Sequence, residues 1–291
     1  MNTSVFSEEK VEKIIGQLQQ ADCVLIGAGA GLSASAGIDY GDTKIFERLF
    51  TPLMKKGFRR QYELIGYNDW MEEEKWAYWA THVNYVRFEF PPSPVYQALL
   101  NLVKNKDYFV ITTNVDGMFE KAGFDVNRLC TPQGDYAQYQ CNKPCTHETW
   151  PTKPVIDKIL PNIDQSTLTI KDSSLVPHCA NCGGPVFLNV RVDDSFIDDP
   201  YVNQWEKYRD WLQTTQNKKL FVIEFGVGFN TPSIIRWPFE NIVYNHSQAS
   251  LLRVNQNDSD VPKEIIHKSI CVEKNAKEVI ESIQKKWEEE K

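Results

Sequence analysis

The sequence has no run of eighteen apolar residues, so no membrane-spanning helix is expected. Its first twenty residues, MNTSVFSEEKVEKIIGQLQQ, are amphipathic and polar and contain no apolar signal-peptide segment. It has no excess of positive charge. Lys and Arg total 32 against 39 Asp and Glu, a net charge of −7, which argues against a broad nucleic-acid surface. Nor does it have a disulfide framework. Seven cysteines in 291 residues are too few for one, and four of them are grouped like metal ligands. The expected setting is therefore the cytoplasm, with neither membrane nor nucleic acid as a partner. No internal repeat is evident.

What is present is an ordinary soluble composition, 42% hydrophobic and 24% charged, with eight Trp and fifteen Phe for a core. Val11, Ile14, Ile15 and Leu18 recur at helical spacing, and Ser7 is a plausible cap. CVLI from Cys23 reads as a buried strand. Residues 43–90 have helical periods and many aromatics; Trp76, Trp79 and Val83 fall on one helical face and read as core. SPVYQALLNLV opens a helix with Pro94 in its first turn. YFVITTNVDG, KLFVIEFGVG and ASLLRVNQ read as further buried strands, and residues 275–291 as a closing helix with a charged tail. Residues 135–190 are polar and proline-rich.

Apolar strands alternating with helices predict an α/β chain with a parallel sheet covered on both faces. Ligands of such sheets sit beyond the carboxyl ends of the strands. Three predicted strand ends carry unusual residues, at 27–35, 112–117 and 226–230. The first holds Gly27, Gly29 and Gly31 as GxGxG, with Leu32 where the dinucleotide fingerprint GxGxxG needs its third glycine. The segment after it reads as helix rather than strand, so hydride transfer is disfavoured. Glycines there still let backbone N–H groups approach a pyrophosphate, with Ser33 and Ser35 as hydroxyl donors.

Cys141-x3-Cys145 and Cys179-x2-Cys182 form two knuckles suited to a closed, structural, four-thiolate zinc site. His147 and His178 lie nearby as substitute ligands. Cys23, Cys130 and Cys271 sit in apolar strand contexts and are expected to be inert.

Taken in order, GAGAGLSASAGI, TTNVDGMFEKAG, the two cysteine pairs, FGVG and RVNQ resemble the sirtuin family over nearly the whole chain. That resemblance implies a Rossmann-like NAD-binding domain (residues 1–42, 91–134 and 191–291) and a smaller helical and zinc-binding domain (43–90 and 135–190). It implies NAD+ as a co-substrate cleaved between nicotinamide and ribose, and Zn2+ as a structural ion. The implied NAD+ contacts are Gly27, Ala28, Gly29, Ser33, Ser35, Asp39 and Tyr40 after the first strand, and Thr113, Asn114 and Asp116 after the second. Gly226, Val227, Gly228 and Asn255 complete them.

The departures from the family are chemical. Gln133-Gly134 stands where sirtuins carry the His-Gly whose histidine is the deacylase base. IDYGD replaces the segment that ends in arginine, and VFLNVR places Arg191 near a family glutamate. The chain is most similar to the macrodomain-linked, class M sirtuins, protein ADP-ribosyltransferases acting on a lipoylated, glycine-cleavage-H-like carrier protein. A histidine titrates near neutrality, whereas a glutamine amide only orients groups. The expected catalytic residues are Asn114 and Asp116 at the ribose, Gln133 as an orienting amide, and Arg191 facing an acidic acceptor. A linked macrodomain hydrolase is an expected partner. An NAD-dependent deacylase or NAD hydrolase, and a non-catalytic module that senses NAD or ADP-ribose, remain open alternatives.

Overall fold

The computed structural model describes residues 7–290, so residues 1–6 of the polar N-terminal stretch and residue 291 lie outside the described residues. The described chain divides into two compact units.

The first unit comprises residues 7–37, Pro92–Gln133 and residues 201–290. Its sheet has six parallel strands in the order Ser269–Val272, Ala249–Val254, Leu220–Phe225, Cys23–Ala28, Asp107–Thr112 and Leu129–Cys130. The first strand in sequence is thus central. The chain builds outward from it on one side, then returns and builds on the other. The switch point falls between Cys23–Ala28 and Leu220–Phe225, both buried at every position. Near-continuous apolar runs suit strands covered on both faces. Gly27 pairs in register with Ile111 on one side and Glu224 on the other, so three strand ends finish level.

Helix Glu8–Gln20 is capped by Ser7, whose hydroxyl accepts the Lys10 N–H at 3.3 Å, and it buries Val11, Ile14, Ile15 and Leu18. Helix Pro94–Val103 starts at Ser93, which accepts the Val95 N–H at 3.2 Å. Helix Ala276–Glu289 starts at Asn275 and packs on both. Helix Arg236–Asn245 covers the sheet through Phe239 and Val243, against Leu25, Val222 and Leu251. The two edge strands of this sheet, Leu129–Cys130 and Ser269–Val272, are too short to show a period in the sequence. They nevertheless put Cys130 and Cys271 in strands, as expected. Burial pushes the Cys23 thiol up to about 11 and Cys130 to about 12, so both stay protonated and inert. Cys271 is half-buried and also raised.

The second unit comprises Ile38–Pro91 and Gly134–Pro200. Asp42 caps helix Thr43–Met54 by accepting the Lys44 N–H at 2.7 Å, and that helix is kinked at Phe50 just before Pro52. Helix Glu72–Val83 runs on into a wider π-type turn, Asn84–Glu89. Trp76 and Val83 are buried, as their spacing predicts, and Trp79 is half-buried. The stretch with the cysteines folds as a three-stranded antiparallel sheet, Trp150–Pro151, Gly134–Cys141 and Val186–Val190, with helix Lys153–Ile159. Gly134, at φ +103°, lies where a Cβ would overlap the Asn189 carbonyl. Among the described residues no helix is long and apolar enough to cross a membrane.

Candidate active site and zinc centre

In the first unit, five neighbouring strands present the candidate residues at their carboxyl ends. Gln133 follows Leu129–Cys130, Asn114 and Asp116 follow Asp107–Thr112, the glycine loop follows Cys23–Ala28, Gly226 to Gly228 follow Leu220–Phe225, and Asn255 follows Ala249–Val254. A ligand laid along this edge spans the switch point.

The glycines meet one another before they meet any ligand. A Cβ on Gly27 would overlap Phe239 and Ile235 of the covering helix. On Gly29 it would sit 2.7 Å from the Gly226 carbonyl oxygen, and on Gly31 2.7 Å from the Gly226 Cα. Gly226 itself is at φ +60°, pressed onto Gly31. The Gly29 N–H donates to Phe225 O and the Gly31 N–H to Gly226 O, both at 3.0 Å. These glycines let two loops approach each other, and their N–H groups are engaged inside the protein rather than held ready for phosphate. Gly228 differs: it is exposed, and a Cβ there meets open space.

Ala28 anchors the second strand end, accepting the Thr113 N–H at 3.1 Å and the Thr112 hydroxyl at 2.9 Å. Asn114 is half-buried. Its Nδ2 donates to Gly29 O at 2.9 Å, tying two strand ends together. Asp116 is buried and accepts the Ser33 hydroxyl at 2.5 Å and the Met118 N–H at 2.9 Å. Ser33 Oγ also lies 3.1 Å from the Tyr96 hydroxyl. Ser33 is therefore a brace for Asp116. Ser35 is spent locally, donating to Leu32 O at 2.7 Å. Tyr96 is fully buried; burial first, then the Asp116 charge, push its phenol well above the ordinary range, so it keeps its proton. Sequence reasoning missed Tyr96. Its signal was a hydroxyl on the inner face of an otherwise aliphatic helix.

Gln133 is half-buried in the turn after Leu129–Cys130. Asn255 donates from Nδ2 to Val227 O at 2.9 Å and accepts the Asn257 and Asp258 N–H groups, so the fourth and fifth strand ends are bonded too.

Three expected residues belong to the second unit. Asp39 is exposed and accepts the Gly41 N–H at 2.8 Å. The Tyr40 hydroxyl donates to that of Tyr136 at 3.3 Å, and its ring lies 5.0 Å from His82. Arg191 is exposed, 3.5 Å from Asp198, with its guanidinium 4.4 Å above the Phe196 ring. Its loop is built around buried Gln140, which accepts the Ile197 N–H and donates to Ser195 O.

Also in the second unit, the Sγ atoms of Cys141, Cys145, Cys179 and Cys182 all lie within 4.8 Å of one another. The Cys141–Cys182 and Cys145–Cys179 separations, 3.7 and 3.5 Å, are far beyond a disulfide bond. The set fits one tetrahedral zinc ion with no open position. The Cys182 and Asn181 N–H groups, aimed at the Cys179 sulfur, lower that thiol to about 7 and favour the thiolate a metal needs. The two histidines turn elsewhere, His147 to Asp199 and His178 to Val176 O.

The chain is similar to several known proteins. The chain is 37% identical over 244 residues to a probable bifunctional ADP-ribose hydrolase/ADP-ribosyltransferase of Fusarium oxysporum f. sp. cubense, a match covering 81% of this chain and 41% of that protein. The chain thus spans less than half of that relative's length. It is 28% identical over 277 residues to a protein ADP-ribosyltransferase of Staphylococcus aureus, covering 92% of this chain and 85% of that one. A solved structure of Sir2Tm bound to a propionylated peptide superposes with a TM-score of 0.62 at 16% identity, covering 96% of this chain and 99% of that one. The Sir2 family profile matches residues 29–223, from the first glycine loop into the strand that carries Glu224. On that match, joined to a parallel sheet with its glycine loop and a four-cysteine zinc set, the chain belongs to the Sir2 family.

Proposed function

We infer that the protein is an NAD+-dependent protein ADP-ribosyltransferase. The observation that carries the reading is Gln133, an amide in the turn beside Asn114's strand where a deacylating sirtuin needs a base. Deacylation requires a proton to leave a ribose hydroxyl, and glutamine does not titrate near neutrality. Transfer to a carboxylate requires no proton to be removed. The bond from ribose C1′ to the nicotinamide nitrogen breaks, its electron pair leaves with nicotinamide, and a carboxylate lone pair forms the new bond to C1′.

Each residue then has a positioning or electrostatic role. Asn114 and Gln133 orient the ribose and the acceptor by hydrogen bonds. Asp116, braced by Ser33 and the Met118 N–H, holds a polar group of the nicotinamide end. Arg191 pairs with an acidic acceptor surface. Holding the partners in line and stabilising developing charge supply most of the rate in such a reaction. The first unit acts as the NAD+ domain and the second as the zinc-bearing small domain. A cytoplasmic setting accords with this chemistry.

The acceptor we assign is a lipoylated, glycine-cleavage-H-like carrier, with a macrodomain hydrolase as the counterpart that removes the mark. The name of the Fusarium relative joins a hydrolase to a transferase, which supports that pairing. The test is incubation with adenylate-labelled NAD+ and matched lipoylated and unlipoylated carrier. Label on the lipoylated form alone supports the assignment. Equal labelling removes the lipoyl requirement, and labelling of neither removes the carrier.

A further inference from the structure

We propose that Arg236 and Arg253 are positioning residues for the adenosine half of the dinucleotide, acting through the loops that follow Phe225 and Val254. The proposal rests on the NAD+ reading of the strand ends.

The starting point is a charge in an improbable place. Glu224 is the penultimate residue of a strand buried at every position and is fully inaccessible, as is Arg253, which pairs with it from the neighbouring strand. Arg236 and Glu240, from the covering helix, complete a neutral set of two cations and two anions with side-chain exposures of 4% and 16%. Charges so far from water are tolerable only when fully paired. Arg253 meets Glu224 at 2.7 Å through Nε and 3.0 Å through Nη2, and Glu240 at 2.7 Å through Nη1. Arg236 lies 3.8 Å from Glu224.

The remaining donors leave the cluster for the loops. Arg236 donates to the carbonyls of Asp258 and Asp260, both at 2.9 Å, and to Val227 at 3.4 Å. Arg253 donates to Asp260 O at 2.7 Å. Asn255 closes the circuit on Val227 O. The outer face of the Arg236 guanidinium is covered by the exposed Phe229 ring, 4.3 Å away. Two loops are thus pinned to one buried cation pair by charge-assisted hydrogen bonds.

Stability alone does not call for such a device, because well-packed apolar residues replace buried ion pairs with little loss. The rigid, multi-donor guanidinium fork holds carbonyls from two loops in fixed directions at once. Those loops lie past the strands on the Leu220–Phe225 side of the central strand, while Asn114 and Gln133 lie on the other side. A dinucleotide with its reacting ribose at Asn114 places its adenosine half over Val227, Gly228 and Asn255.

The test is Arg236→Met and Arg236→Lys, with steady-state kinetics in NAD+, calorimetry with ADP-ribose, zinc content and thermal melts. Losing charge-assisted bonds predicts that KM for NAD+ and the Kd for ADP-ribose rise at least about tenfold in Arg236→Met, with kcat changed by less than about threefold. Arg236→Lys keeps the charge balance but not the fork, so it is expected to melt near wild type and still show the raised KM. A wild-type KM and Kd in either folded variant, with only the melting temperature lowered, overturns the proposal. So does a loss confined to kcat. If Arg236→Met does not fold, Arg236→Lys decides alone. Failure of the wild-type protein to bind NAD+ or ADP-ribose is a separate outcome, which overturns the site reading and this proposal with it.

Discussion

The Ser33 hydroxyl donates to the Asp116 carboxylate at 2.5 Å, joining the helix after the first strand to the turn after the second. Both side chains are buried, and the Tyr96 phenol stands 3.1 Å from the same hydroxyl. The pair fixes Asp116 before any ligand arrives, which is what an electrostatic site requires.

Tyr96→Phe removes one partner of this buried network and leaves the ring in place. A neutral buried hydrogen bond is worth about 1–1.5 kcal/mol, so ADP-ribosyl transfer is expected to fall about five- to tenfold, mostly in kcat. Zinc content is expected to stay unchanged. Wild-type kcat in this variant would show that the brace does not act on the reaction.

Gln133→His restores a titrating group. Acyl-ADP-ribose release from an acetylated peptide is expected to appear at a trace rate that rises through roughly pH 6–7 as the imidazole loses its proton. Wild type is expected to show no such profile. Gln133→Ala is expected to lower transfer about 10–100-fold without creating any deacylation.

Cys179→Ser breaks the four-thiolate set. Bound zinc, measured by atomic emission, is expected to fall together with the melting temperature, because structural zinc binding is coupled to folding. A zinc-free variant that melts like wild type would contradict a structural role.

His82 sets an acid limit on the second unit. It is fully buried among the rings of Tyr40, Tyr78, Trp79 and Tyr136, neither ring nitrogen has a hydrogen-bond partner among the described residues, and burial lowers it to about 3 from 6.5. Above pH 6.5 it is neutral whether folded or unfolded and adds no pH dependence. Below that value only the unfolded chain takes the proton, so stability falls by up to about 1.4 kcal/mol per pH unit toward pH 3. Urea midpoints between pH 7 and 4 are expected to drop less steeply in His82→Phe than in wild type. Parallel slopes would mean that other groups set the acid limit.

The sequence made the long, period-bearing elements legible. Val11, Ile14, Ile15 and Leu18 marked a helix, and CVLI, YFVIT and LFVIE marked the middle of a parallel sheet, because burial on both faces leaves an unbroken apolar run. The cysteine knuckles were legible for a different reason: ligand geometry fixes spacing. The two edge strands are two and four residues long and carry no period. Glu224 and Arg253 were read only as letters inside apolar strands, since a charge pairing 29 residues apart leaves no local mark. The glycines were found, but their use was not. Spacing shows where a backbone needs room, and only the fold shows that Gly29 and Gly31 make room for Gly226.

The central claim is that NAD+ is cleaved here to place ADP-ribose on protein. The most direct test follows three products of one reaction with adenylate-labelled NAD+, a carrier protein and an acetylated peptide: nicotinamide, labelled protein and acyl-ADP-ribose. The account predicts nicotinamide and labelled protein in matching amounts, with both lost together in Asn114→Ala. Robust acyl-ADP-ribose formation by the wild-type protein, without labelled protein, would contradict it.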